Sequence, residues 1–161
     1  MKKFMSIGIA ALVVLLLCGL VLTGCPTEDN GGSVKSMTFE DTTLNAHKEF
    51  TINENLGFKA KFFDDALGGI VPAGSTVSGK ITGASDIWTE DLNGIAKNMK
   101  SSDSTVNGML DTEQVVIDLT YSKDAAGKIT DVTVWFPDSA GGTDATAMAA
   151  QGMMGGTYTR K

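Results

Sequence analysis

Val115-Val116-Ile117-Asp118-Leu119-Thr120-Tyr121-Ser122 is followed, after Lys123 to Lys128, by Ile129-Thr130-Asp131-Val132-Thr133-Val134-Trp135-Phe136. Ile117, Leu119 and Tyr121 alternate with Asp118 and Thr120. Val132, Val134 and Phe136 alternate with Asp131, Thr133 and Trp135. A period of two sends neighbouring side chains to opposite faces, so each run reads as a strand with one wet face. Val, Ile, Thr and aromatic residues suit that pleated, half-buried surface. The linker holds Gly127, and the two runs together predict an antiparallel hairpin.

The same period recurs upstream. Phe50 and Ile52 alternate with Glu49, Thr51 and Asn53; Phe58, Ala60 and Phe62 with Lys59 and Lys61; Val77, Gly79 and Ile81 with Ser78 and Lys80. Asn53-Glu54-Asn55, with Gly57 behind it, is turn chemistry, since Asn tolerates left-handed backbone. Asp64 to Gly69 ends the second of these strands, and Pro72-Ala73-Gly74 precedes the third. Asp86 to Leu92 is a candidate strand closed by an Asn93-Gly94 turn. Ala96 to Asp111 has no clear period, and Ser101 to Ser104 reads as a loop. Thr143 or Asp144 can cap a short helix over 144–151, with Gly152 as its stop. Gly156 to Lys161 is the candidate closing strand. Strands at this spacing, without long helices between them, predict an all-β antiparallel barrel or sandwich.

The first 36 residues are of another kind. Lys2 and Lys3 precede an apolar run from Ile7 to Leu22, and Leu22-Thr23-Gly24 then leads to Cys25. Basic start, apolar stretch and small residues are the order of an export signal. The stretch resembles the lipobox of bacterial lipoproteins. That resemblance implies removal of residues 1–24 and a diacylglyceryl thioether on Cys25, often with an acylated amine. Phe4 to Leu22 is also 19 uncharged residues, near the lower limit of a membrane span, so an uncleaved anchor is the alternative. Pro26 to Ser36 is polar and aperiodic and reads as a tether. The expected division is therefore a signal peptide (1–24), a lipidated tether (25–36) and a β-rich domain (37–161). The hairpins, the short helix and the closing Gly156-Thr157-Tyr158-Thr159-Arg160 are similar to the small lipocalin-like barrels of bacterial, including spirochaetal, lipoproteins. The Gly-x-Trp strand that opens many lipocalins is absent: neither Trp88 nor Trp135 has that setting.

Composition narrows the chemistry. Cys18 and Cys25 are the only cysteines. If cleavage and lipidation occur, no thiol is left for redox or metal chemistry. Loss of Lys2 and Lys3 takes the net charge from −6 to about −8, and a scattered acidic surface opposes nucleic acid and anionic lipid. Attachment to a membrane would then come through the lipid on Cys25. His47 is the single histidine and stands near no Gly-x-Ser-x-Gly nucleophile motif. Asp64-Asp65 and Glu90-Asp91 are sequence neighbours, which a strand points to opposite faces. Asp138 to Asp144 lacks the spaced ligands of a calcium loop, and neither Gly79-Lys80 nor Gly127-Lys128 sits in a phosphate-loop frame.

The expectation is a non-enzymatic, lipid-anchored protein of the cell envelope, facing the periplasm or the exterior, that binds a partner or shapes the surface. No cofactor, metal or catalytic residue is expected. One alternative is a carrier for a small apolar ligand, lined by Phe50, Phe58, Phe62, Tyr121 and Phe136 with Met148, Met153 and Met154 as a soft cap. Met99 and Met109 lie upstream of that group, and core packing is the competing role for all these side chains. A hydrolase is the other alternative.

Overall fold

The computed structural model describes residues 35–84, 88, 91–110, 114–137 and 144–161. The export signal, Leu22 to Cys25, most of the tether, Glu90 and residues 138–143 fall outside these residues, as do Ser85 to Ile87 and Thr89 of the candidate strand and its approach. Eight strands form: β1 (Ser36–Asp41), β2 (Lys48–Asn53), β3 (Gly57–Phe62), β4 (Thr76–Thr82), β5 (Leu92–Ser101), β6 (Val115–Lys123), β7 (Ile129–Trp135) and β8 (Gly156–Arg160). Each pairs antiparallel with the next, and β8 returns to β1, closing a barrel rather than a sandwich. Closure removes the unpaired edges that an open sheet would present.

The alternation read from the sequence becomes the inside and outside of this barrel. Phe39, Phe50, Ile52, Ala60, Val77, Ile81, Ile117, Leu119, Val132 and Val134 have no solvent exposure. Each large side chain buried this way contributes about 1.5–3 kcal/mol over leaving it exposed. Trp135, out of phase with Val134, stands 53% exposed on the outer face. Pairs of threonines link neighbouring strands outside, Thr38–Thr51 and Thr133–Thr157, each at 3.0 Å between hydroxyls.

The two tightest turns share one device. Asn53 Oδ1 accepts the N–H groups of Asn55 and Gly57, each at 3.0 Å, and its carbonyl accepts from Leu56 at 2.9 Å. Asp124 repeats the pattern with Ala126, Lys128 and Gly127, all at 2.9 Å. The left-handed residue of the second turn is Gly127, at φ 78°; in the first it is Leu56, at φ 62°. Asn53 thus supplies the acceptor, and the left-handed conformation expected of an Asn falls on Leu56.

Asn93-Gly94 is not a turn. Both lie inside β5, opposite Asp118 and Ile117. A Cβ on Gly94 would stand 2.5 Å from Ile81 Cγ2 and 2.9 Å from the Thr82 carbonyl oxygen, so glycine serves close strand approach here. The aperiodic 96–111 span resolves into the rest of β5 and a helix, α1 (Ser104–Leu110). Its period is broken by a bulge: Lys80 faces Lys97 and Ser78 faces Lys100, so Gly79 opposes both Asn98 and Met99. Asn98 takes φ 53°, and the extra residue turns Met99 inward. The expected 101–104 loop shortens to Ser102 and Asp103, and Asp103 Oδ1 caps α1 by accepting from Thr105 and Val106 at 2.9 and 3.0 Å.

The second helix, α2 (Asp144–Met154), outruns the predicted 144–151 and its Gly152 stop. Leu67, from a 3₁₀ turn at Leu67–Gly69, lies where a Gly152 Cβ would be, 2.8 Å from it, so this glycine serves packing rather than termination. The helix ends at Gly155, whose N–H donates to the Gln151 carbonyl at 2.9 Å. The described residues of the four long connections (42–47, 63–75, 102–110 with 114, and 136–137 with 144–155) lie at one end of the barrel, which carries both helices. Lys35, the 53–57 and 124–128 turns, Gly83, Ala84 and Asp91 mark the opposite end.

Candidate functional site

Seven of the eight side chains expected to line an interior site are inside. Phe50, Phe58, Phe62, Tyr121 and Phe136 are 0–8% exposed, and Met153 and Met154 are fully buried. Met148 is not among them: it stands 75% exposed on the outer face of α2. The helical period explains the difference, because Ala147, Ala150 and Met154 form the buried stripe and Met148 falls beside it. Met99 is also interior.

The interior divides into two neighbourhoods. Phe50 lies between Phe58, from the opposite end, and Tyr158, on the helical side, with ring centroids at 5.9 and 5.8 Å. On the helical side β2 carries a buried lysine. Lys48 shares the inward phase of Phe50 and Ile52, and its Nζ donates to the carbonyls of Gly155 at 2.8 Å and Met153 at 3.4 Å. Tyr158 Oη donates to the Met154 carbonyl at 2.6 Å. Together they satisfy the Met153, Met154 and Gly155 carbonyls at the end of α2, where a cation also meets the negative pole of the helix. Burial pushes the Lys48 ammonium below the usual lysine range, with Asp41 opposing the shift. Burial, helped by Asp41, holds the Tyr158 phenol well above its ordinary value. Lys48 also borders a cleft of ≈190 Å³ formed with His47, Phe62, Asp64, Leu67 and Met153. The alternation of β2 could have flagged Lys48. Nothing in the sequence points to its partners on a helix more than a hundred residues away.

Towards the opposite end, Tyr121 pairs with Phe39 at 6.5 Å between centroids. Its backbone N–H donates to Asp91 Oδ1 at 2.9 Å. Its hydroxyl is the one buried side-chain polar atom among the described residues with no hydrogen-bond partner. Burial, then the Asp91 carboxylate, raises its phenol far above the ordinary tyrosine value, so it stays a donor.

Other candidate groups are engaged in structure. His47 Nε2 meets Glu40 Oε1 at 2.7 Å, and its ring stacks on Phe63 at 4.4 Å. The His47 hydrogen bond, then Lys161, lowers the Glu40 carboxyl below its ordinary value. Asp64 accepts the His47 backbone N–H at 3.1 Å, and Asp65 the Ala73 N–H at 2.8 Å, so this carboxylate pair organises loops. Outside the barrel, Glu40, Asp41, Thr43, Thr157, Arg160 and Lys161 border a polar hollow of ≈490 Å³. Among the described residues no cluster of His, Cys, Asp and Glu could hold a metal ion, and no helix is long and apolar enough to cross a membrane. No family model, curated protein or solved structure matches this chain.

Proposed function

We propose that this chain is a lipid-anchored protein of the cell envelope whose barrel is a non-enzymatic binding module. The observation that carries the reading is Leu22-Thr23-Gly24-Cys25 directly after an apolar run with a basic start. A thioether-linked diacylglycerol, with the acyl chain on the new amine, would supply enough buried CH₂ groups for stable anchoring. The acidic chain offers no polybasic substitute for that lipid. The closed barrel that begins at Ser36 suits a folded module carried on a short polar tether. A hydrolase has less support, because no nucleophile motif accompanies the single histidine, His47. The carrier alternative gains support from the unpartnered Tyr121 hydroxyl.

Metabolic labelling with an alkyne fatty acid, in a host that processes lipoproteins, tests the anchor. The wild-type chain takes up label and partitions into detergent, and Cys25→Ala loses both. Label that persists in Cys25→Ala, or none in the wild type, contradicts the proposal.

A further inference from the structure

The ≈190 Å³ cleft at the helical end is enclosed by the 45–48 and 64–68 segments, Phe62 and the end of α2. That volume lies below the range of about 300–1,000 Å³ that takes drug-sized ligands, so its guest is small. Lys48, 8% exposed, brings a buried cation to the border. Its ammonium has three N–H groups and meets two carbonyls, at 2.8 and 3.4 Å. The longer contact ends on Met153, which borders the cleft as Lys48 does. Asp41 faces Lys48 across the β1–β2 pair, yet no carboxylate among the described residues lies within 4.0 Å of its Nζ. A buried ammonium held by carbonyl dipoles alone has room for a counter-ion.

Asp64 and Asp65 border the same cleft, nearer to solvent: Asp64 is half-buried and Asp65 exposed. Each gives one oxygen to a backbone N–H, of His47 at 3.1 Å and of Ala73 at 2.8 Å. The second oxygen of each has no partner among the described residues. His47, the remaining titratable group on the border, has its Nε2 on Glu40 at 2.7 Å. The cleft therefore holds a cation at depth and two carboxylates closer to water. Phe62, Leu67 and Met153 supply apolar wall. Leu67 takes a left-handed φ of 49°, which is costly for a residue with a Cβ, and the strain seats its side chain against Gly152. Such strain gathers at ligand clamps.

A lone anion entering here would pass two like charges, and a lone amine would leave Lys48 without a counter-ion. A guest with both groups and a little apolar surface meets all three walls. We propose that this cleft binds a free α-amino acid with a small apolar side chain, its carboxylate on Lys48 and its ammonium on Asp64 and Asp65. The site rests on the reading of the barrel as a binding module and is independent of the anchor on Cys25.

Calorimetric titration of the full chain in lipid nanodiscs tests it with three probes of one carbon skeleton: L-valine, isobutylamine, which lacks the carboxylate, and isovalerate, which lacks the ammonium. Valine binds, and each truncated probe binds at least about tenfold more weakly, having lost one charge-assisted hydrogen bond. Asp64→Asn keeps an oxygen for the His47 N–H and removes the charge. It weakens valine about tenfold, leaves isovalerate no weaker and leaves the melting temperature nearly unchanged. Valine that binds no better than isovalerate or isobutylamine, or that binds Asp64→Asn as well as the wild type, overturns the assignment. No heat from any probe also overturns it, and leaves the module reading standing for another ligand. Valine consumed during the titration overturns the non-enzymatic reading on which the site rests.

Discussion

Gly79→Ala tests the registers of the barrel through the sign of its effect. A Cβ at position 79 would stand 2.6 Å from Phe58 Cζ, 2.8 Å from Phe58 Cε1 and 3.1 Å from Met99 Cγ. All three atoms belong to the core, so the Phe58 ring must leave its seat. Overpacking of this kind costs about 1–3 kcal/mol. Replacing glycine in a strand returns about 0.5–1 kcal/mol by restricting the unfolded chain. The net loss is about 1–2 kcal/mol, or a melting point lower by about 4–8 °C in a domain of this size. Phe58→Leu removes the ring atoms that clash, so adding Gly79→Ala in that background costs at least about 1 kcal/mol less than it does alone. Urea unfolding followed by tryptophan fluorescence reads all four corners of the cycle. If β4 were slipped by one residue, Gly79 would face outward and alanine would stabilise the protein. A stabilised Gly79→Ala, or strict additivity with Phe58→Leu, refutes the packing described above.

Three further outcomes follow from the same structure. The chain has two tyrosines, both buried with phenols raised above the ordinary value. Their folded-state stabilisation is complete below about pH 10, the unfolded value, and falls as pH rises above it because only the unfolded state ionises there. Phenolate absorbance at 295 nm therefore appears together with loss of circular dichroism; phenolate in a protein that is still folded speaks against the burial. Tyr158→Phe leaves the Met154 carbonyl without its 2.6 Å donor and costs about 1–3 kcal/mol by thermal or urea unfolding. Asp124→Ala removes an acceptor of two backbone N–H groups in an exposed turn and costs about 0.5–2 kcal/mol, whereas Asp124→Asn recovers most of it.

What the sequence reveals of this molecule depends on how local the cause is. β6 and β7, β2 and β3, and most of β4 are legible because inside and outside alternate without interruption. β5 is not, for two reasons. Asn93-Gly94 has the composition of a turn but serves a close approach to Ile81, and the bulge at Asn98 shifts the phase within the strand. The extension of α2 past Gly152 depends on Leu67, which lies in a loop remote in sequence. The inward aromatics follow from parity alone. Met148 fails because a period of two gives no guidance on a helix. Lys48 and Tyr158 acquire their meaning from carbonyls at the end of α2, and the Tyr121 hydroxyl from the absence of an acceptor on any strand it faces. Such relations exist only once the barrel has closed.

The lipid-anchored reading turns on what happens at Cys25. Its most direct test is the mass of the amino-terminal peptide of the protein extracted from membranes of a lipoprotein-processing host. The account predicts a peptide that begins at Cys25, lacks residues 1–24 and carries the added mass of a diacylglyceryl group, with or without a third acyl chain. A peptide that still begins at the original terminus, or an unmodified Cys25, would contradict it.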